Sequence, residues 1–448
     1  MSVLRELALP DDAAPRVTGP AVPAALASPL AVAGCATDAV AACLAAAAEL
    51  SRARTGRLPD VAVDSAHVAA AVRSEAHLRD PNGHGIGGFG ALSRVWRAAD
   101  GWVRTHANYP WHRAALFAAL GVEDGTDAAL LTAALADRAA LDIERTVYAA
   151  GGLAVAARTA AGWADPTAGT PLVEVAPLGA GARGPGPTPG PGPLPASGFR
   201  VLDLTRVIAG PVGTRMLAAL GADVLRVDNP QRPELPLHMI DGTIGKASTL
   251  LDAGTPAGRD ALHHLLGEAD VLVTGYRPGA LRRLGLAPDQ VAERHPGTIV
   301  VTLSAWGTRD ATWGTRRGFD SLVQVATGIG WATSPDGEHV GVLPCQLLDH
   351  ASGYLIAAGA LSALAHRERT GGASHVSVAL ARTARWLLAV SAERGAGAEP
   401  SAADADAYRV DLGNGWSGIA PPGTVDGRPL TWPRLPPAYG AAAPRWHS

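Results

Sequence analysis

Lysine is almost absent from this sequence. Lys246 is the single lysine in 448 residues, and arginine carries nearly all the remaining positive charge. A lone ammonium in such a background is either a chance survival or a place where a compact charge fits and a planar guanidinium does not. Cysteine is also scarce. Cys35, Cys43 and Cys345 form no C-x-x-C pair and no zinc spacing. That excludes a disulfide framework and a cysteine metal centre, and it suits small buried thiols in a reducing compartment. No charge of one sign dominates. A net charge of −3 offers no basic field to nucleic acid or to an anionic membrane. The opening M-S-V-L-R-E-L-A-L-P-D-D lacks the basic flank and apolar core of a signal peptide, so a cytoplasmic location is expected.

One apolar run, Ala21 to Leu50, approaches the length of a membrane span. It is mostly alanine, carries Asp38 and contains Pro23 and Pro29. Its weak hydrophobicity reads as a buried helix, with no membrane partner.

A proline- and glycine-rich segment, G-A-R-G-P-G-P-T-P-G-P-G-P-L-P at 181–195, has the composition of a semi-extended spacer. It predicts two parts, 1–180 and 198–448, with 181–197 between them. After it come short β-branched runs at 199–205, 222–228, 270–275 and 298–304. Helical stretches near Thr214–Leu220 and Ala257–Glu268 separate some of them. Continuous apolar strands alternating with helices predict an α/β fold with a parallel, Rossmann-like sheet covered on both faces. The chain closes on a proline- and tryptophan-rich tail at 416–440.

The two parts share a repeat. R-A-R-T-G at 52–56 returns as R-E-R-T-G at 367–371, an offset of 315 residues. At the same offset Pro29 falls on Pro344, Val61 on Val376 and Val63 on Val378. Each copy reads as an alanine-rich helix, a basic T-G turn and an alternating strand.

The first strand of the second part runs into T-R-V-I-A-G-P-V-G-T-R (205–215). Gly210 and Gly213 would let backbone approach a ligand, and the helix start beyond them offers N–H groups to a phosphate. Asp228 ends the next strand, but the G-x-G-x-x-G spacing of a dinucleotide site is missing, and a tight strand-to-helix turn needs glycine in any case. Asp349 stands where the second alanine-rich helix begins. An aspartate in that place is either an ordinary cap or a reactive carboxylate.

A longer set of motifs decides between them. V-L-D-L-T-R-V-I-A-G-P (201–211), L-G-A-D-V-L-R-V-D (220–228), G-K-x-S (245–248), L-D-A-G-T-P-A-G-R (251–259), A-D-V-L-V-T-G-Y-R-P-G-A-L (269–281) and G-F-D-S-L-V-Q-V-A-T-G (318–328) occur in the order found in class III CoA transferases. With the L-D-H-A-S-G-Y and R-E-R-T-G of 344–380, the segment 198–385 resembles that family, the CaiB–BaiF group, throughout. The resemblance implies a parallel α/β domain, a smaller α+β domain and a homodimer. It also implies an aspartate nucleophile, here Asp349. It further implies that Val207, Ile208, Ala209, Gly210, Pro211, Asn229, Lys246, Tyr276 and Arg277 lie along a CoA groove, with Arg226 and Arg232 as further phosphate contacts. A helix N-terminus is expected to keep Asp349 ionised near neutral pH.

The first part resembles the later half of the same family. A-A-D-G-W-V (98–103) and W-H-R-A-A-L-F-A-A-L-G (111–121) are similar to the opening of its small domain, and G-T-P-L-V-E-V (169–175) to its return strand. N-G-H-G-I-G-G-F-G (82–90) resembles a glycine-rich loop over the acyl group, with Gly85, Gly87 and Gly88 as its mobile positions. Gly34 stands where the second copy has Asp349.

The expected activity is transfer of CoA from an acyl-CoA to a carboxylic acid through an aspartyl anhydride and thioester. Coenzyme A is substrate, with no permanently bound cofactor and no metal. An α-methylacyl-CoA racemase is the neighbouring alternative. Its relatives have histidine where Phe319 stands, and His350 beside Asp349 is poorly placed for the opposite face. A non-catalytic CoA-binding paralogue is the other alternative.

Overall fold

The computed structural model describes residues 3–123, 128–182, 194–390 and 403–446. Most of the proline-rich segment, residues 183–193, lies outside the described residues.

Helix α1 (Val32–Thr55) is followed by strand β1 (Val61–Asp64) and the short helix α2 (Ser74–His77). A small antiparallel sheet comes next, from β2 (Val95–Arg97), β3 (Trp102–Thr105) and β4 (Ala154–Ala156), with β3 in the centre. Helices α3 (Pro110–Leu120) and α4 (Ala140–Ala149) bury Leu116, Phe117, Leu120, Ile143 and Val147 against it. Pro110 opens α3 and Gly121, in the left-handed region, ends it, the usual asymmetry of helix punctuation. This is the smaller α+β unit.

The large sheet has seven strands. β5 (Val173–Ala182), β6 (Arg200–Leu204), β7 (Asp223–Asp228), β8 (Ala247–Leu250), β9 (Val271–Thr274), β10 (Ile299–Ser304) and β11 (Gly372–Ala379) are ordered β5-β11-β10-β9-β6-β7-β8. All neighbours are parallel except β5, which runs antiparallel to β11 at one edge. Four of these strands lie within one or two residues of the runs read from sequence, because runs such as V-L-V-T are buried along their length, as a sheet covered on both faces requires.

Four helices of the second part shape the site: α5 (Ala209–Ala219), α6 (Asp320–Thr327), α7 (Leu347–Thr370) and α8 (Leu380–Ala389). α1 and α7 each have 24 residues and end on a left-handed glycine, Gly56 and Gly371. They pack on each other in one core cluster that draws side chains from both sides of the 181–197 segment. Arg369 of α7 also pairs with Glu49 of α1 at 2.9 Å. Both helices are long and apolar enough to cross a membrane, yet most of each is buried inside the protein. The C-terminal residues return to the sheet edge. Ala441 bridges Thr249 of β8, and the Trp446 indole donates to the Leu265 carbonyl at 3.1 Å.

α5 begins five residues earlier than the helical stretch read from sequence. Glycine lowered the apparent helix propensity there, but packing demands it. A Cβ on Gly213 would sit 2.6 Å from the Gly353 carbonyl oxygen, and one on Gly353 2.6 Å from that of Ala209. These two glycines let α5 and α7 cross closely. The expectation that Gly210 and Gly213 admit a ligand is corrected accordingly, since a Cβ on Gly210 would strike the Thr205 side chain.

Candidate active site

The α5–α7 crossing puts the start of α7 beside the start of α5, at the ends of β6 and β10. A cavity of about 490 Å³ opens there. Asp349 lines it, with Val207, Ala209, Tyr276 and Arg277. Its other wall comes from the small unit and includes Tyr109, Trp111, His112, Ala115, Ala150 and Gly151. With Arg232, six of the residues expected from the sequence therefore meet at one cavity.

The remaining ones lie elsewhere. Ile208, Gly210 and Pro211 are buried behind the lining, at the start of α5. Asn229 caps its own turn, accepting the Gln231 N–H at 2.8 Å. Gly85, Gly87 and Gly88 are exposed and outside the lining, although Gly90 ties the end of their loop to Asn108 at 2.8 Å. Lys246 is fully buried and faces the protein. Its ammonium donates to Asp203 Oδ2 at 2.9 Å, Thr214 Oγ1 at 2.6 Å and the Pro211 carbonyl at 3.1 Å. Its compact charge thus fits a packed structural site, with its pKa pushed down to about 8 by burial despite Asp203. Arg226 is likewise buried, in a two-bond pair with Asp228 at 2.7 and 3.0 Å. That pairing takes up the acidic residue that might have met a ribose.

The turn at Val207 is held by Glu234. Val207 has φ of +68°, a strained state for a β-branched residue. Its N–H donates to Glu234 Oε2 at 3.1 Å. Glu234 also accepts from Arg206, Tyr109 and the Leu235 N–H. Arg206 and Arg226 offset its burial, and its pKa falls to about 2. One buried carboxylate thus joins the small unit, through Tyr109, to the strained turn.

The cavity is polarised. Near Asp349 the lining is apolar: Phe319 precedes Asp320, which touches the Asp349 backbone, and Ala209 abuts Gly353 one turn along α7. Leu380 follows through the α7–α8 contact, where Ser352 and Thr383 share a 2.7 Å hydrogen bond. Arg206, Arg232, Arg277, Arg316 and Arg317 also line the cavity. Arg206 is neutralised by Glu234 and Arg316 by Glu144. Among the described residues no carboxylate pairs with Arg232, Arg277 or Arg317. Burial and the like charges of Arg277 and Arg232 lower the pKa of Arg317, so these three groups repel one another across a shared space. Trp111 stacks on Tyr109 at 4.8 Å and lies under Arg232, also at 4.8 Å.

Asp349 departs from its expected state. It is 7% exposed, and its carboxyl is pushed well above the usual range by burial and by the charges of Asp320 and Glu75. Burial and those two charges oppose the pull of the helix N-terminus, where the Asp349 N–H donates to Asp320 Oδ2 at 3.0 Å. His350 points away. Its Nε2 pairs with Glu75 of α2 at 2.9 Å.

Tyr109, Trp111, His112, Arg206, Arg316 and Arg317 were missed as site residues. W-H-R at 111–113 and R-R-G-F-D at 316–320 had been read only for the helix and the motif they open. His112 lines the cavity with a buried Nδ1 that has no hydrogen-bond partner among the described residues. Burial and the nearby arginines lower its pKa to about 4, so it is neutral at pH 7. His106 stacks on Phe319 at 3.7 Å.

Residues 196–416 match the model of CoA-transferase family III. A probable fatty acyl-CoA transferase of Mycobacterium tuberculosis is 37% identical over 210 residues, covering 44% of this chain and 52% of the relative. A formyl-CoA:oxalate CoA-transferase of Streptomyces coelicolor is 32% identical over 197 residues, or 41% and 47% of the two chains. The crystal structure of a CAIB/BAIF family protein from Brucella suis is 27% identical over 44% of this chain and 56% of that one, with a TM-score of 0.39. The chain spans about half the length of the curated relatives it matches. The matched segment holds Asp349 and every cavity residue outside the small unit, and it is this segment that is similar to CoA-transferase family III.

Proposed function

We propose that the protein transfers CoA from an acyl-CoA to a free carboxylic acid, with Asp349 as nucleophile. The observation that carries the reading is the polarised cavity. Three guanidiniums without a carboxylate partner among the described residues call for a polyanion, and CoA brings a diphosphate and a 3′-phosphate. With the phosphates at the arginines, the pantetheine arm runs toward Asp349 and delivers the thioester there. Burial and the charges of Asp320 and Glu75 set the surroundings of Asp349. The acyl group therefore meets Phe319, Ala209 and Leu380, a lining that favours an uncharged acyl chain over a second carboxylate.

The chemistry balances without a cofactor. The Asp349 carboxylate attacks the thioester carbon, the C–S bond breaks and CoA leaves as thiolate, giving a mixed anhydride. The thiolate then attacks the aspartyl carbonyl, releasing the donor acid and leaving an aspartyl-CoA thioester. An acceptor carboxylate repeats the two steps in reverse and departs as the new acyl-CoA. Apolar walls around Asp349 keep water from hydrolysing the anhydride.

Incubation with a panel of acyl-CoAs, followed by peptide mass spectrometry, tests this. An acyl or CoA adduct is expected on the peptide containing Asp349, and none in Asp349→Asn. Intact acyl-CoA with unmodified peptide after long incubation would overturn it. α-Proton exchange is the second reading, because neutral His112 lines the same cavity. Deuterium entering the α-position of a 2-methylacyl-CoA at a rate above CoA transfer would favour it.

A further inference from the structure

The geometry points to Asp320 as the positioning residue of the nucleophile: it caps α7 at Asp349 itself and governs which of the two carboxyls holds a proton. This rests on the reading of Asp349 as nucleophile. α7 has no cap of its own, since the Gln346 side chain makes no capping bond. The first turn of a helix leaves backbone N–H groups without partners. Asp320, on the first turn of α6, supplies the acceptor from another element. Its Oδ2 takes the Asp349 N–H at 3.0 Å, and the Gln324 side chain donates to its other oxygen. Gln324 in turn accepts the Leu343 N–H at 3.2 Å, binding the approach to α7 into the same network. Asp320 is 2% exposed, so this cap has no competition from water.

The arrangement holds the Asp349 backbone in register with the cavity, and it also uses a negative charge to do so. The charged neighbours come from every side. Glu75 of α2 is paired with His350, Arg104 of β3 faces Asp320, and the buried Cys345 thiol precedes the helix. Asp320 is pushed up to about 6 by burial, against the backbone bonds, Gln324 and His350, which pull it down, and burial with the charges of Asp320 and Glu75 pushes Asp349 up as well. Asp320 bonds the Asp349 backbone and its charge raises the Asp349 carboxyl, so the two carboxyls titrate as a pair that shares a proton. With the proton on Asp349 the site is at rest. With the proton on Asp320 the Asp349 carboxylate is free to attack, and the resting distribution returns when the aspartyl thioester is discharged.

Asp320→Asn separates the two roles, because the amide oxygen still accepts the Asp349 N–H while the charge is gone. The Asp349 carboxyl is followed directly by ¹³C NMR of protein labelled at the aspartate carboxyl carbons, with Asp349→Asn giving the assignment. In Asp320→Asn its midpoint is expected to fall by at least one pH unit. Adduct formation should then be at least about fivefold faster than wild type at one pH unit below the wild-type midpoint. Asp320→Glu, which keeps the charge, should retain the raised midpoint and serves if the asparagine variant does not fold. An Asp349 midpoint unchanged in Asp320→Asn, or lowered in Asp320→Glu as well, would overturn the inference. A shifted midpoint in a protein that transfers no CoA would keep the proton pairing and remove the transferase reading instead.

Discussion

α1 and α7 are two versions of one element. They start at Val32 and Leu347 and end at Thr55 and Thr370, the same offset of 315 residues, and a strand and a further helix follow each in the same frame. At the third position α1 has Gly34 and α7 has Asp349. Nothing lies within 4 Å of where a Cβ on Gly34 would point. Asp349 by contrast faces a cavity and a second carboxyl. One turn on, α1 carries exposed Asp38 where α7 has Gly353 pressed against α5. The difference shows that a helix becomes a reactive site through what packs on its first two turns. Its own propensity, length and caps are nearly identical in the two copies.

Replacing the carboxyl should break the contrast most strongly. Asp349→Asn is expected to lower CoA transfer by on the order of 10⁴-fold or more, read as acyl-CoA formed on an acceptor acid, with CoA affinity nearly unchanged. Overpacking the crossing comes next. Gly353→Ala forces α7 off Ala209 and Val212 and should lose about 1–3 kcal/mol in a denaturant titration, while Asp38→Ala in α1 should change stability by less than about 0.5 kcal/mol.

A smaller effect depends on pH. Asp349 and Asp320 both have raised pKa values in the folded state, so the native protein binds more protons than the unfolded chain above about pH 4. Their contribution to stability is present at acid pH and is lost as pH rises through about 6 and beyond. Asp349→Asn removes that loss. Its melting temperature should exceed that of wild type by a few degrees at pH 8, roughly the shift of 1 kcal/mol or so, and the gap should close toward pH 4. The smallest effect is expected from Gly34→Asp. Open space accommodates the side chain, and peptide mass spectrometry should find no second adduct.

Much of the large sheet could be read from the sequence because its strands are buried on both faces and announce themselves as short β-branched runs. The start of α5 could not. Its glycines answer to Gly353, about 140 residues away, and local propensity says nothing of that meeting. The same holds for the site. Asp349 was placed through a long ordered set of motifs, and its neighbours Val207, Ala209, Tyr276 and Arg277 came with it. Lys246 drew attention by rarity and by the G-K-x-S motif, and it forms a buried pair with Asp203 instead of lining the groove. Trp111, His112 and Arg317 belong to segments whose local patterns are fully explained by a helix and a turn. Their convergence exists only after α3 folds against the large sheet. Asp320 lay inside a quoted motif, but its bond to the Asp349 N–H depends on how α6 meets α7.

The two walls of the cavity lie on one polypeptide, residues 109–151 on one side and 204–380 on the other. Their encounter within one chain is therefore first order and set by folding. Inactive variants damaged in opposite walls should gain nothing from being mixed.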